Sequence, residues 1–304
     1  MDVLYWSCSA RLTIPKRHDP NDPIFKVAWI LPFIFRDFLR LENQIPYFIL
    51  EKLFEVTRLP DEESGPSLSL LALRFFKYIM QRRDDIVQSH HDLKGLHLFD
   101  MVRSSFFPPN QQECPKRVNN APTHINHSVS NLRRLGIRLN PIEADSFLVV
   151  KFKHGVIGIP NIAIDDYTSF LVNCVAFEQC HNSCSKHITT YATFLDCLVK
   201  TAKDVEYLYN RNIIEVRICT WAEVARFLNN LGRDIEFDID MCYLSKLFND
   251  VHHYYQNSWH AKWERFKYTY FDTPWSFIAA LAVLVESSIM CINTFEHLGP
   301  QFTT

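Results

Sequence analysis

Two intensely apolar segments, IFKVAWILPFIFRDFLRL (Ile24 to Leu41) and IPYFILEKLFEV (Ile45 to Val56), stand almost end to end in this chain, separated by Glu42, Asn43 and Gln44. Apolar residues run nearly all round the first and recur at helical spacing in the second, as Ile45, Ile49, Leu53 and as Tyr47, Leu50, Phe54. Helices of that composition belong in an interior. The run Val27 to Phe35 is nine residues long, well short of the ~20 that cross a bilayer, and Pro32 within it predicts a kink or a first turn. The interior must therefore come from the rest of the protein, and 304 residues with 47% hydrophobic and 22% charged content can supply one.

The polar trio sits where the two helices must part. A residue preceding proline is pushed out of the α region, so Ile45 breaks the chain and Pro46 can open the second helix. Asn43 and Gln44 then lie at the junction, where carboxamides can satisfy orphan carbonyls of the helix before and orphan amides of the helix after. Glu42 is favoured near the positive N-terminal end of the second helix. No partner acid, base or metal ligand lies near Glu42 in sequence, so these residues read as chain-end structure rather than chemistry.

Other function classes fall away on composition. Lys plus Arg number 32 against 34 for Asp plus Glu, a net charge of -2, which offers no field for gripping nucleic acid. The seven glycines form no G-x-G-x-x-G or G-x-x-x-x-G-K arrangement, so nucleotide-cradling loops are not expected and no cofactor is assigned. Nine cysteines, an odd number, and an opening MDVLYWSCSARL without the pattern of a signal peptide predict free thiols in a reducing compartment.

Along the chain, SLLALRFFKYIM predicts a helix with Leu70, Leu73, Phe76 and Lys77 at turn spacing, and GLHLFDMVRSSFF a third apolar segment ending at Pro108. Residues 108–130 are polar and aperiodic and read as a flexible insertion between compact parts at 21–107 and 131–272. After NLRRLGIRL, the stretch SFLVVKFKHGVIGIPNIAID predicts a β-hairpin turning at His154-Gly155. Four helices are then expected, beginning at DDYTSFLVNCVAFEQC with Asp165 or Asp166 as cap, HITTYATFLDCLVKTAKDVEYLYN, TWAEVARFLNNL with a Thr220/Glu223 capping box, and MCYLSKLFNDVHHYYQNSWHAKWERFKYTYF. The fold class is mainly α with a small β-hairpin element, an α+β, bundle-like helical domain followed by a C-terminal hydrophobic helix.

Two residue groups invite a catalytic or metal reading. His97, Asp100 and Ser104 share a helix face, but a triad draws on separate elements and no nucleophile elbow is present, so the face reads as a polar stripe. Cys180, Cys184 and His187, flanked by Cys174, His181 and Cys197, are the densest set of soft ligands. They are the weak candidates for zinc, against the simpler expectation of thiols packed on helix faces.

The tail WSFIAALAVLVESSIMCINTF, Trp275 to Phe295, has the 21 residues of a bilayer span. Glu286 sits near its middle, where a carboxylate costs about 3 kcal/mol. Two readings stay open at this point, a span and a buried amphipathic helix. Ala279, Ala282, Glu286 and Asn293 share one face, on which a protonated Glu286 can meet another helix.

WILPFIFRDFLRLENQIPYFILEKLF, HLFDMVRSSFFP, LRRLGIRL, SFLVVKF with GVIGIPNIAIDDYTSFLVNCVAFEQC, TTYATFLDCLVKTAKDVEYL and YFDTPWSFIAALAVL together resemble the plant family called domain of unknown function 247, in its order and over nearly all of Asp22 to Phe295. Glu42, Asn43, Gln44, Pro46, Pro274 and Trp275 belong to these signatures. The resemblance implies a largely helical plant protein with a single C-terminal span after the YF-x-x-PW segment, and no established catalytic activity. A grass subset of the family is associated with self-incompatibility, which would make recognition of an unknown protein partner the mechanism. The family's longer N-terminal region implies that residues 1–23 are a truncated extension, ahead of a family domain at 24–272, a transmembrane helix at 275–295 and a short tail at 296–304. With Lys262, Arg265 and Lys267 before the span and no basic residue after it, the main domain is expected in the cytosol. A membrane-anchored, non-enzymatic recognition or scaffolding protein is the leading expectation; an undetected hydrolase or metal-dependent enzyme, or a soluble helical interaction protein, are the alternatives.

Overall fold

The computed structural model describes residues 27, 30–57, 65–77, 80, 82–108, 128–165, 168–181, 184–217, 219–233, 235, 238, 242–257, 278, 281–290 and 292. Pro274 and Trp275 lie outside them. Helices α1 (Ile30–Phe38), α2 (Tyr47–Thr57), α3 (Leu68–Phe76), α4 (Asp84–Ser89) and α5 (Leu98–Ser104) precede residues 109–127. Helix α6 (Val129–Arg134) and strands β1 (Arg138–Ile142), β2 (Lys151–Lys153), β3 (Val156–Pro160) and β4 (Ile162–Ile164) follow. Helices α7 (Ser169–Cys180), α8 (His187–Leu198) and α9 (Ala202–Asn210), strand β5 (Ile214–Val216), and helices α10 (Trp221–Leu231) and α11 (Ser245–Asn257) complete the domain. The architecture is mainly helical with small sheets, α+β.

The sheet content is richer than one hairpin. β2 and β3 pair antiparallel through the His154-Gly155 turn, both of whose residues have positive φ, 49° and 75°, the geometry of a type I′ turn. β1 then joins β3 in parallel, Arg138 opposite Val156 through Ile142 opposite Pro160. It is an edge strand, which is why Pro141 is tolerated in it. A second, two-stranded sheet pairs β4 with β5 in parallel, Ile162 opposite Ile214. The stretch RLNPI hides a strand because its proline and short run mimic a loop, and IEV is too short to carry a period.

Capping chemistry sets several boundaries. Thr220 and Glu223 exchange side-chain and backbone bonds at the start of α10. Asp204 does the same with Thr201, which cuts the expected single helix from His187 to Asn210 into α8 and α9. The cap of α7 is Thr168 rather than Asp165; its hydroxyl bonds back to Asp165 O at 2.6 Å instead of capping the helix. Asp166 lies outside the described residues.

One hydrophobic core runs through both parts expected on either side of residues 108–130. Phe35, Leu70, Phe76 and Phe99 from the first belong to the same cluster as Leu139, Phe177, Tyr191 and Phe248 from the second. The expectation that both opening helices are wholly interior is corrected. Phe35 and Leu39 are buried, but Phe33 is 50% exposed. Tyr47 is buried with its hydroxyl on Ser69 Oγ at 2.9 Å, whereas Phe48, Leu53 and Val56 are 65%, 55% and 83% exposed. Only one of the two apolar stripes on α2 faces the core, because the neighbouring elements pack on the Tyr47 side.

At Gly155 a side chain would have to adopt φ near 75° and meet the Tyr254 ring. Gly155→Ala is expected to lower unfolding free energy by about 1–2 kcal/mol, measured by chemical denaturation; an unchanged midpoint would show that the turn relaxes freely.

Candidate functional site

The junction between α1 and α2 is tied to α5, which lies about fifty residues further along the chain. A 3-10 turn, Leu41–Asn43, follows α1. Asn43 Nδ2 donates to Asp37 O at 3.2 Å and Gln44 Nε2 to Phe38 O and Arg40 O at 2.8 and 2.7 Å, adding side-chain donors at the end of α1, where Asp37 O and Arg40 O also accept from Arg40 N and Asn43 N. Gln44 Oε1 accepts not from α2 but from Phe99 N of α5, at 2.9 Å. Pro46 bridges His97, and Tyr47 N donates to Leu96 O at 2.9 Å. Glu42 is exposed, with Arg40 Nη1 at 4.0 Å. These residues fasten one helix pair onto another; none is arranged as an acid, base or nucleophile.

Beneath this junction lies a buried charged cluster that sequence reasoning did not find. Arg103, on α5, donates through Nε and Nη2 to Asp100 Oδ1 at 3.2 and 2.9 Å, and through Nη1 to Glu178 Oε1 at 2.8 Å and Ser185 O at 3.3 Å. Its guanidinium also lies over the rings of Phe107 and Phe177, at 4.9 and 5.0 Å. Glu178, on α7, is fully buried and accepts from Ile188 N at 3.3 Å and Thr189 N at 2.7 Å. Those amides are in the first turn of α8, whose own cap residue Lys186 contributes no side-chain bond. Glu178 therefore serves as the anion at that N-terminus from a neighbouring helix.

Burial pushes the Glu178 carboxyl up, against the pull of the Thr189 amide and Arg103. Burial also works against the Arg103 charge, but Glu178 and Asp100 outweigh it and hold that pKa above its ordinary value. Each guanidinium nitrogen of Arg103 donates and both carboxylate oxygens of Glu178 accept, so the cluster joins α5, α7 and the start of α8 as a clamp.

His97, Asp100 and Ser104 do not form a triad. His97 is the N-cap of α5, its Nδ1 accepting from Asp100 N at 3.1 Å, while Asp100 Oδ2 accepts from Leu96 N at 2.9 Å. Burial lowers the His97 pKa, consistent with a neutral ring that accepts. The weak metal candidates are also separated in role. Cys180 is exposed, the Cys184 thiol donates to His181 O at 3.2 Å, and His187 is buried in a stack between Phe107 and Tyr243, at 4.7 and 5.0 Å. Among the described residues no group of three or more His, Cys, Asp or Glu is arranged to hold a metal ion. The six described cysteines are free thiols.

The Arg103 cluster lies 75 residues apart in sequence, and nothing local announces it. Its one visible trace is the placement of Glu178 and Arg103 inside otherwise apolar helical stretches, CVAFEQC and FDMVRSSFF, since unpaired charges are seldom buried.

A family model described as a plant protein of unknown function matches residues 4–287. The chain is 33% identical over 287 residues to UPF0481 protein At3g47200 of Arabidopsis thaliana, an alignment covering 87% of this chain and 60% of that protein. It is 26% identical over 178 residues to Putative UPF0481 protein At3g02645 of Arabidopsis thaliana, covering 58% of this chain and 34% of that protein. The chain thus spans no more than about 60% of the length of these relatives. No solved structure matches it.

Removing the Arg103 charge alone strands a buried carboxylate. Arg103→Met should cost about 3–5 kcal/mol, and combining it with Glu178→Gln should recover at least 1 kcal/mol relative to the sum of the single changes; strict additivity in denaturant titrations would refute the clamp.

Because the His97 pKa is lowered in the folded protein, the unfolded chain takes up its proton first as pH falls. The contribution of this cap is present above the ordinary histidine pKa of about 6.5 and is lost on acidification. His97→Asn keeps an acceptor without the titration, so the stability gap between wild type and variant should narrow or reverse by about 1 kcal/mol from pH 7.5 to 5.

Proposed function

Because the chain belongs to the plant family of unknown function known as domain of unknown function 247, whose model spans residues 4–287, we propose that it is a non-enzymatic recognition or scaffolding protein held at a membrane by its C-terminal apolar segment. The observation that carries the reading is the state of that segment. Residues 281–290 are helical and all exposed, and Ile278, Leu281, Val283, Leu284, Val285, Ile289, Met290 and Ile292 are between 45% and 73% exposed. Exposed apolar side chains gathered on one helix have no stable place in water and call for an apolar phase or partner.

No helix among the described residues is long and apolar enough to cross a membrane. The ten described helical residues 281–290 would extend about 15 Å at 1.5 Å per residue, half the thickness of a bilayer's hydrocarbon. The apolar sequence continues on both sides of them, from Trp275 to Phe295. Glu286 is the one formal charge in that stretch and sets the energetic cost of insertion.

The recognition half of the reading draws on α2. Its outer face of Phe48, Ile49, Leu53 and Val56 is exposed, while its inner face is fastened to the domain through Tyr47. A rigidly held apolar helix face suits helix-to-groove association. Covering each of these side chains would contribute about 1.5–3 kcal/mol.

Alkaline carbonate extraction of plant-cell membranes tests the anchor. The full chain should stay in the pellet and a version ending at Thr273 should be released; release of both overturns the anchor. For recognition, Ile49→Asp with Leu53→Asp should abolish partner cross-links formed by the full chain while leaving circular dichroism unchanged, and cross-links that persist undiminished would remove α2 from the proposal.

A further inference from the structure

A cleft of about 470 Å³ opens where the parallel strands β1 and β3 end, at Ile142 and Pro160, beside the first residues of β4. Carboxyl ends of parallel strands are where open sheets most often receive ligands, and the volume falls within the roughly 300–1,000 Å³ of small-molecule sites. Phe106, Phe147 and Phe170 line it as one aromatic group, with Phe106 centred 4.9 Å from Phe147 and 5.9 Å from Phe170.

The cleft carries charges of both signs, Arg82 and Arg83 beside Glu143, Asp145 and Asp165. Arg82 has its guanidinium over the Phe106 ring at 4.5 Å. It donates to two backbone carbonyls, Asp145 O at 2.8 Å and Ser105 O, and among the described residues no carboxylate lies within salt-bridge distance of it. Burial pushes its pKa down to about 10, against the opposing pull of Asp145. The carboxylates lining the same cleft are engaged or hydrated: Asp145 pairs with Arg83 at 2.8 Å, Asp165 faces Arg217 at 4.0 Å, and Glu143 is exposed on the rim. Arg82 is half-buried, at the cleft and, among the described residues, without a carboxylate in direct contact, and a guanidinium presents parallel N–H groups suited to a carboxylate.

We propose that this cleft binds a small monocarboxylate with an apolar body, its carboxylate on Arg82 and its body against Phe106, Phe147 and Phe170. This site requires neither the membrane nor the α2 face, so it stands or falls apart from the function proposed above.

The test is calorimetric titration of the full chain, held in amphipol, with 3-phenylpropanoate, with octanoate, and with 3-phenylpropanamide as the uncharged isostere, against amphipol alone. At least one acid should bind saturably with a Kd below millimolar, the phenyl and alkyl acids distinguishing an aromatic from a fatty body. The amide should bind at least tenfold more weakly than 3-phenylpropanoate if the aromatic acid is the ligand. Arg82→Gln should weaken the bound acid at least tenfold with circular dichroism unchanged, and Ala163→Trp, which fills the cleft, should abolish binding. Absence of saturable binding by both acids, or an amide that binds as tightly as its acid, overturns the proposal. Should Arg82→Gln fail to fold, the acid-to-amide ratio and Ala163→Trp still decide.

Discussion

Arg103 is the residue on which the arrangement of the helices turns. Its guanidinium joins Asp100 of its own helix to Glu178 of α7, and Glu178 in turn holds the first turn of α8. Two charges and a helix end, each costly to bury alone, become compatible only when all three meet. The same helix, α5, receives Gln44 and Pro46 from the opening junction. The placement of α1 and α2 is thereby referred to the same anchor. Phe107 and Phe177 cover the guanidinium and exclude the water that would weaken these bonds.

What could be read from the sequence was local. The Thr220/Glu223 cap and the His154-Gly155 turn are determined within four residues, and both appear in the structure as the chain predicts them. The mainly helical character follows from periodicity. The parallel strand β1 could not be read, because Pro141 argues against a strand unless its edge position is known. The break at Val199 to Thr201 depends on Asp204 choosing a cap over helix continuation, two options of similar local energy. The Arg103–Glu178 pair is a contact between distant segments, so it leaves only the oddity of charged residues in apolar stretches. The polar trio at Glu42 to Gln44 was legible as a junction, while its attachment to Phe99 was not.

The apolar surface of α2 corrects a habit of reasoning in which an apolar helix is assigned wholly to the core. Tyr47 and Ser69 fix one side of the helix, and that fixes the other side outward. Apolar residues at helical spacing on two faces of a short helix therefore do not place both faces in the core. The exposed helical residues 281–290 pose the same question at the other end of the chain, with Glu286 the feature that separates a membrane environment from a protein one.

Asp204 carries a further consequence. One of its oxygens caps α9 through Thr201, and the other accepts from Ser130 N and Oγ at 3.3 and 2.9 Å. Ser130 lies just beyond residues 109–127, and the chain before them is held by Phe106 in the core. The chain on both sides of that segment is therefore held by described residues. Phe106 on one side of residues 109–127 and Val129, Leu132 and Ser130 on the other thus tie the two parts of the chain to one core and to α9, so their mutual register is set by contacts outside that stretch.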